Sequence, residues 1–310
     1  MDRIKLGDSE LEASRIVLGC MRISEMETNA LARHISTAID CGINLFDHAD
    51  IYGRGECERK FGRLLTTELN REDILIQSKC GIRQGSGKDI QYYDLSKSYI
   101  IDAVDGILER LSTEYLDLLM LHRPDALMEP EEISEAFDTL YDAGKVRHFG
   151  LSNFNATQFD FVQKYVGRKL ITNQVQFGPA ASHMVNSGIQ ANTPFDGAAD
   201  RDGGLLEKSR LDNVTLQAWS PFHYGYFEGI IMDDPKFEAL NEVLDDIGRS
   251  HGITKNAVAV AWILRHPATM QTIVGTTDTS RLEDIAKAGN VRLNREEWYR
   301  IYSAAGNMVP

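Results

Sequence analysis

The chain has 310 residues, 43% hydrophobic and 25% charged, with 33 Lys and Arg against 46 Asp and Glu and a formal net charge of -13. That balance disfavours a general nucleic-acid or anionic-membrane surface, because both demand clustered basic side chains, so any anionic ligand must find a local cationic pocket. No stretch approaches the ~20 apolar residues of a membrane span, and the opening MDRIKLGDSELEAS is too charged for a secretory signal. Cys20, Cys41, Cys57 and Cys80 form no CxxC pair and suit a reducing compartment, so a cytoplasmic protein is expected, without nucleic-acid or membrane partners.

In chain order, eight short apolar or β-branched runs read as strands: RIVLG (15–19), NLFDHA (44–49), ILIQSK (74–79), LDLLMLH (116–122), HFGLSN (148–153), TNQVQF (172–177), TLQAWS (215–220) and TIVGTT (272–277). Helical periodicity lies between them. Leu31, Ile35, Ala38 and Ile39 form one stripe, ended by Gly42, and Ile100, Val104, Ile107, Leu108 and Leu111 form another. Pro130 opens a third helix carrying Ile133, Phe137 and Leu140, and Gly144 closes it. Without a repeat, polar linker or low-complexity tract, a single domain over 1–310 is expected. Eight alternating units predict an α/β fold, a closed (β/α)8 TIM barrel. The competing open doubly wound sheet lacks its GxGxxG fingerprint here. Connections after strands swell at 81–96, 178–204 and 221–234, and binding usually lives on the long loops of one barrel face.

Four side chains gather at consecutive strand ends. Asp47 and Tyr52 follow the second strand, Lys79 ends the third and His122 the fourth. Singly they have ordinary explanations: a turn aspartate, a packing tyrosine, a snorkelling lysine, a rim histidine. Together they have the logic of a tuned acid. A tyrosine titrates near about 10, and an adjacent ammonium stabilises its phenolate and draws it toward a working range. Asp47 keeps Lys79 charged, and His122 is placed to orient a substrate oxygen.

The pattern G-x-x-x-x-D-x-A-x-x-Y-G-x-x-E is matched by Gly42, Asp47, Ala49, Tyr52, Gly53 and Glu56, and LHRPD (121–125) and GKVRHFGLSNF (144–154) follow. In these motifs the chain resembles the aldo-keto reductases across nearly its whole length. The resemblance implies Tyr52 as general acid/base, Asp47 and Lys79 tuning it, His122 positioning a carbonyl, and hydride from a reduced nicotinamide. It places Ser152, Asn153 and Gln174 on the nicotinamide carboxamide, Trp219 against the nicotinamide ring, and Ser220, Pro221 and Phe222 near the pyrophosphate. Gly19, Cys20 and Met21 would close the other side. Gly275, Thr276, Thr277 and Arg281, with amides at the following helix start, would hold an adenosine 2′-phosphate, which favours NADPH while leaving NADH possible. Two positions depart from the family: Gly275 where many relatives have lysine, and Ile285 where an asparagine would meet adenine.

The tail AAGNMVP is shorter than the family's usual substrate loop. Specificity is therefore expected from 81–96, 123–130 and 221–234, with Tyr92, Tyr93, Phe222, Tyr224 and Tyr226 as apolar walls. The leading expectation is reduction of a small-molecule aldehyde or ketone. Alternatives are a cofactor-binding regulatory subunit with little turnover, and a lyase or aldolase forming a Schiff base on Lys79. No His, Cys or Asp spacing suggests a metal, and the oligomeric state is not legible.

Overall fold

The computed structural model describes residues 1–85 and 90–310, so part of the expected 81–96 specificity loop, residues 86–89, lies outside the described residues. The chain opens on an antiparallel hairpin, β1 (Arg3–Lys5) and β2 (Glu12–Ser14), additional to the eight expected strands. β3 (Ile16–Gly19) then leads through α1 (Thr28–Asp40) to β4 (Leu45–Asp47), α2 (Glu56–Thr67) and β5 (Leu75–Cys80). A second hairpin, β6 (Ile82–Arg83) with β7 (Tyr92–Tyr93), precedes α3 (Lys97–Leu111) and β8 (Leu116–Leu121). Next come α4 (Pro130–Asp142), β9 (Val146–Ser152), α5 (Ala156–Tyr165) and β10 (Leu170–Gln176). Two short helices, α6 (His183–Ile189) and α7 (Leu205–Leu211), precede β11 (Thr215–Trp219). A third hairpin, β12 (His223–Tyr224) with β13 (Gly229–Ile230), is followed by α8 (Glu238–His251), α9 (Lys255–Leu264) and β14 (Met270–Val274). α10 (Thr279–Ala286) and α11 (Arg295–Ala304) complete the chain.

Strands β3, β4, β5, β8, β9, β10, β11 and β14 pair in parallel in that order and close, β14 onto β3, into the expected (β/α)8 barrel. All eight strand runs are strands. Their limits differ by up to three residues: β9 begins at Val146 and β10 at Leu170, whereas β14 ends at Val274 and leaves Gly275, Thr276 and Thr277 in a loop. α1 buries Leu31, Ile35 and Ala38 and stops where Gly42 takes φ 87°, and α4 starts on Pro130. No helix among the described residues is long and apolar enough to cross a membrane.

The first hairpin is the barrel's floor. Leu6 is buried with Val17, Leu45, Leu118, Met120 and Ile171, an apolar layer inside the barrel. Asn44 ties the floor to the wall: its Oδ1 accepts from Ser14 N at 2.8 Å and its Nδ2 donates to Glu12 O at 3.0 Å. Within β10 the pairing to β9 shifts between Leu170 and Asn173. That irregularity lets Ile171 join the apolar floor while Gln174 also points inward, which strict alternation forbids. Outside, α9 is buried along Ala257–Leu264, and Trp262 stacks on Trp298 of α11 at 4.8 Å. Each of the two indoles donates to the other residue's backbone oxygen.

Helices α2 and α3 meet at Gly62, where an added Cβ would press on the Arg110 carbonyl oxygen and lie 2.7 Å from the Leu111 carbonyl carbon. Both obstacles are backbone and neither can step aside. Gly62→Ala is expected to cost about 1–3 kcal/mol as an overpacked site, read as a lower Tm. Gly167→Ala, with nothing within 4 Å of the new methyl, serves as control, and equal Tm values for the two would refute the close approach.

Candidate active site

The C-terminal ends of β4, β5 and β8 bring the four expected side chains together. Lys79 has no exposed surface. Its ammonium donates to Asp47 Oδ1 at 2.7 Å, to the His48 carbonyl at 2.7 Å and to the Tyr52 hydroxyl oxygen at 3.2 Å. An ammonium has three donors, so all are committed, and the Tyr52 proton must point elsewhere. Tyr52 follows β4 in a tight turn, with Gly53, Arg54 and Gly55 all at positive φ. The turn brings its ring edge-on to His122, centroids 6.1 Å apart. Asp47, Tyr52 and His122 line a cleft of about 520 Å³, while Lys79 lies behind them.

The electrostatics differ from the sequence reading in one respect. Burial pushes the Tyr52 phenol above its ordinary value, and the pull of Lys79 in the other direction does not outweigh it. Tyr52 is thus a firmly protonated acid, not one drawn down to neutral pH. Burial alone would lower Lys79, but Asp47 and Tyr52 raise it overall. His122 is held well below the usual imidazole range by burial, Lys79 and Arg123, so its ring is neutral. Its Nδ1 is enclosed without a partner among the described residues, which leaves Nε2 for any polar contact.

Sequence reasoning missed the support under Asp47. Gln77 Nε2 donates to Asp47 Oδ1 at 2.6 Å and Gln174 Nε2 to the same oxygen at 3.0 Å. Both amides also donate to Gln217 Oε1, Gln217 Nε2 donates to Gln77 Oε1 and Gln271 Oε1, and Gln271 Nε2 donates to Ser14 O. A ladder of glutamines therefore runs down the barrel interior. The one available signal was glutamine within the strand runs ILIQSK, TNQVQF and TLQAWS, where Gln77, Gln174 and Gln217 stand. Of these, only Gln174 stood among the candidates.

Most expected cofactor residues share the cleft: Gly19, Met21, Ser152, Asn153, Gln174, Trp219, Ser220, Pro221, Phe222, Gly275, Thr276 and Arg281. Cys20 and Thr277 do not line it. Cys20 is buried with its thiol toward Leu18 O, and Thr277 is exposed beyond β14. The carboxamide candidates are bonded to one another. Asn153 Nδ2 donates to His122 O and Ser152 Oγ, Trp219 Nε1 donates to Asn153 Oδ1 at 3.0 Å, and Ser152 Oγ donates to Gln174 O. What they retain is acceptor capacity, at Gln174 Oε1 and Asn153 Oδ1, matching the N–H donors of a carboxamide. At the expected phosphate end, two backbone amides already have partners. The α10 start is already capped by Asp278, whose Oδ1 accepts from Arg281 N, and Thr276 Oγ1 accepts from Asp278 N, so these amides are occupied. The cationic groups at that end are Arg281 and Arg22, whose guanidinium donates to Gly275 O at 3.2 Å. His34 holds the same loop, with Nε2 2.9 Å from Thr276 O.

Of the expected aromatic walls, Phe222 and Tyr226 line the cleft, whereas Tyr92, Tyr93 and Tyr224 do not. Tyr92 and Tyr93 form β7 and are exposed, and Tyr224 packs on Phe237. Phe227 is an unanticipated wall, stacked on Trp219 with centroids 5.6 Å apart.

Comparison with known proteins matches the model of the aldo/keto reductase family to residues 15–305. The chain is 35% identical to the uncharacterized oxidoreductase YcsN of Bacillus subtilis and 33% identical to a 6-dehydroglucose reductase of Agrobacterium fabrum, each covering 98% of both chains. The crystal structure of a thermostable aldo-keto reductase in complex with the inhibitor epalrestat superposes with TM-score 0.78 at 24% identity, over 98% of this chain and all of that one. At that identity the structural match speaks to the fold.

Close along the chain to Asp47 and Tyr52 are two further acids, the half-buried Asp50 and the buried Glu58. Asp50 Oδ2 accepts from Tyr99 O–H at 3.2 Å and its Oδ1 is enclosed without a partner among the described residues. Glu58 is bound by Ser78 Oγ and Arg110 Nε, both at 2.7 Å. Burial and the Glu58 charge push Asp50 up to about 7. An unfolded aspartate titrates near about 3.9, so the folded state holds an extra proton between these values and stability falls as pH rises through that window. Asp50→Asn removes this contribution. The loss in urea-unfolding free energy between pH 5 and pH 8 is expected to be smaller in the variant, and an undiminished loss would refute the raised carboxyl.

Proposed function

The chain belongs to the aldo/keto reductase family of NAD(P)H-dependent oxidoreductases that act on carbonyl compounds, and on that premise we propose that it reduces an aldehyde or ketone to the alcohol with NADPH, Tyr52 supplying the proton. The observation that carries the proposal is the commitment of every Lys79 donor to Asp47, His48 and Tyr52. The phenol oxygen accepts from the ammonium, and its own proton is left for the cleft beside His122.

The residues present fit a dinucleotide. Trp219 offers a flat face, Gln174 and Asn153 offer acceptors, and Arg22 and Arg281 offer cations for phosphate. A reduced nicotinamide, when bound, supplies the hydride to the carbonyl carbon. The chain does the rest. The neutral His122 imidazole donates from Nε2 to the carbonyl oxygen and orients it. Tyr52 transfers its proton to that oxygen as negative charge develops there, and an alkoxide is a far stronger base than a phenolate. A raised phenol is therefore no obstacle in this direction, because the proton stays on Tyr52 until the alkoxide forms. The phenolate left behind is stabilised by Lys79, whose own charge is secured by Asp47.

The Schiff-base alternative has no support in this arrangement. An amine nucleophile must be deprotonated and reachable, whereas Lys79 is raised, without exposure and bonded on every donor. The preference for NADPH over NADH rests on the two arginines, since Asp278 already occupies the helix start.

Tyr52→Phe removes the acid and keeps the ring. Tryptophan-fluorescence titration is expected to show NADPH binding retained, while carbonyl reduction falls by about 10²–10⁴-fold; wild-type turnover in the variant would sink the assignment. Wild-type protein is expected to bind NADPH more tightly than NADH, and Arg281→Ala to narrow the difference. Equal affinities in the wild type would remove the phosphate role of this end of the cleft.

A further inference from the structure

The chain carries a net charge of -13, yet its cleft is lined by cations. Among the described residues, the two acids lining it, Asp47 and Asp233, are each ion-paired, with Lys79 and Lys255. Three arginines line it as well: Arg22, Arg123 and Arg281. Arg22 belongs to the Gly275 end through its bond to that carbonyl. Arg123 belongs to the other end, immediately after His122.

Arg123 is half-buried, and among the described residues its guanidinium takes part in no hydrogen bond or ion pair; it lies over the Tyr226 ring, 5.9 Å from the centroid. The nearest acid in sequence is not available to it. Asp125 Oδ1 accepts from Leu127 N at 2.9 Å and Oδ2 from Leu95 N at 3.2 Å, so that carboxylate is held by backbone. A guanidinium keeps its charge at any working pH and presents a planar fork that fits a carboxylate. His122 and Arg123 line the same cleft, so one small ligand can present an oxygen to the first and an anion to the second.

We propose that Arg123 makes the cleft selective for carbonyl substrates that carry a carboxylate a short distance from the reacting carbonyl. This rests on the carbonyl-reducing reading above and adds the class of substrate. The apolar walls, Ile51, Ile82 and Ile230, then cover the segment between the two polar ends. Because the acidic surface repels such a substrate, Arg123 sits where the attraction must be local, and the preference weakens as salt rises.

The test compares 4-carboxybenzaldehyde with the neutral 4-carbamoylbenzaldehyde, of nearly the same shape, in wild type, Arg123→Gln and Arg123→Lys. In wild type the ratio of kcat/KM is expected to favour the carboxylate by about ten- to a hundredfold, the worth of one charge-assisted contact. The ratio should collapse toward one in R123Q and stay intermediate in R123K, the change lying mainly in KM. Binding of terephthalate to the NADP⁺-loaded protein, followed by fluorescence, reads the same site without turnover and should be lost in R123Q. A wild-type ratio near one, terephthalate binding indifferent to R123Q, or an R123Q defect confined to NADPH affinity would each overturn the assignment. If neither aldehyde is reduced while terephthalate still binds through Arg123, the anion site stands and the reductase reading fails.

Discussion

The Lys79 ammonium is the constraint around which the site is organised. A charge without exposed surface is tolerated only if its donors are met, and here each of the three has an oxygen acceptor. Those acceptors fix the end of β4, through the His48 carbonyl, and the turn that follows it, through Tyr52. The same contacts determine which way the Tyr52 proton points. Geometry and proton inventory are therefore set by one ion, and Asp47 is what allows that ion to be there.

Asp47 in turn is held by neutral amides as well as by that cation. Its Oδ1 receives Lys79, Gln77 and Gln174, and the glutamines relay the demand to Gln217, Gln271 and finally to Ser14 near the floor. A partly satisfied polar network in a barrel interior is worse than an apolar one, which explains why the ladder continues until it reaches a backbone carbonyl. The apolar floor beneath, closed by Leu6 from the first hairpin, keeps water from the far end. The barrel is thus sealed below, polar along its axis and open above.

The open end differs in charge from the rest of this acidic protein. Its lining acids are neutralised by lysines, while its arginines face the cleft. The field that the proposed phosphate or carboxylate would meet there is local and opposite in sign to that of the whole surface. Burial does the remaining tuning: it keeps Tyr52 protonated and His122 neutral, the two states that the proposed carbonyl reduction requires of them.

Sequence by itself determined the eight strand runs, their alternation with helices, and the arrival of Asp47, Tyr52, Lys79 and His122 at consecutive strand ends. Those are local facts: periodicity follows from 3.6- and 2-residue repeats, and motif spacing is preserved along the chain. The hairpin floor was not legible, since β1 and β2 are three residues each and become strands only by pairing. The glutamine ladder was hidden because the β10 register shift turns Gln174 inward and because Gln77 and Gln217 lie 140 positions apart in the chain. The sign of the Tyr52 shift was also a tertiary matter. A nearby lysine can be read from a motif, whereas the desolvation that outweighs it depends on how the folded barrel encloses the phenol.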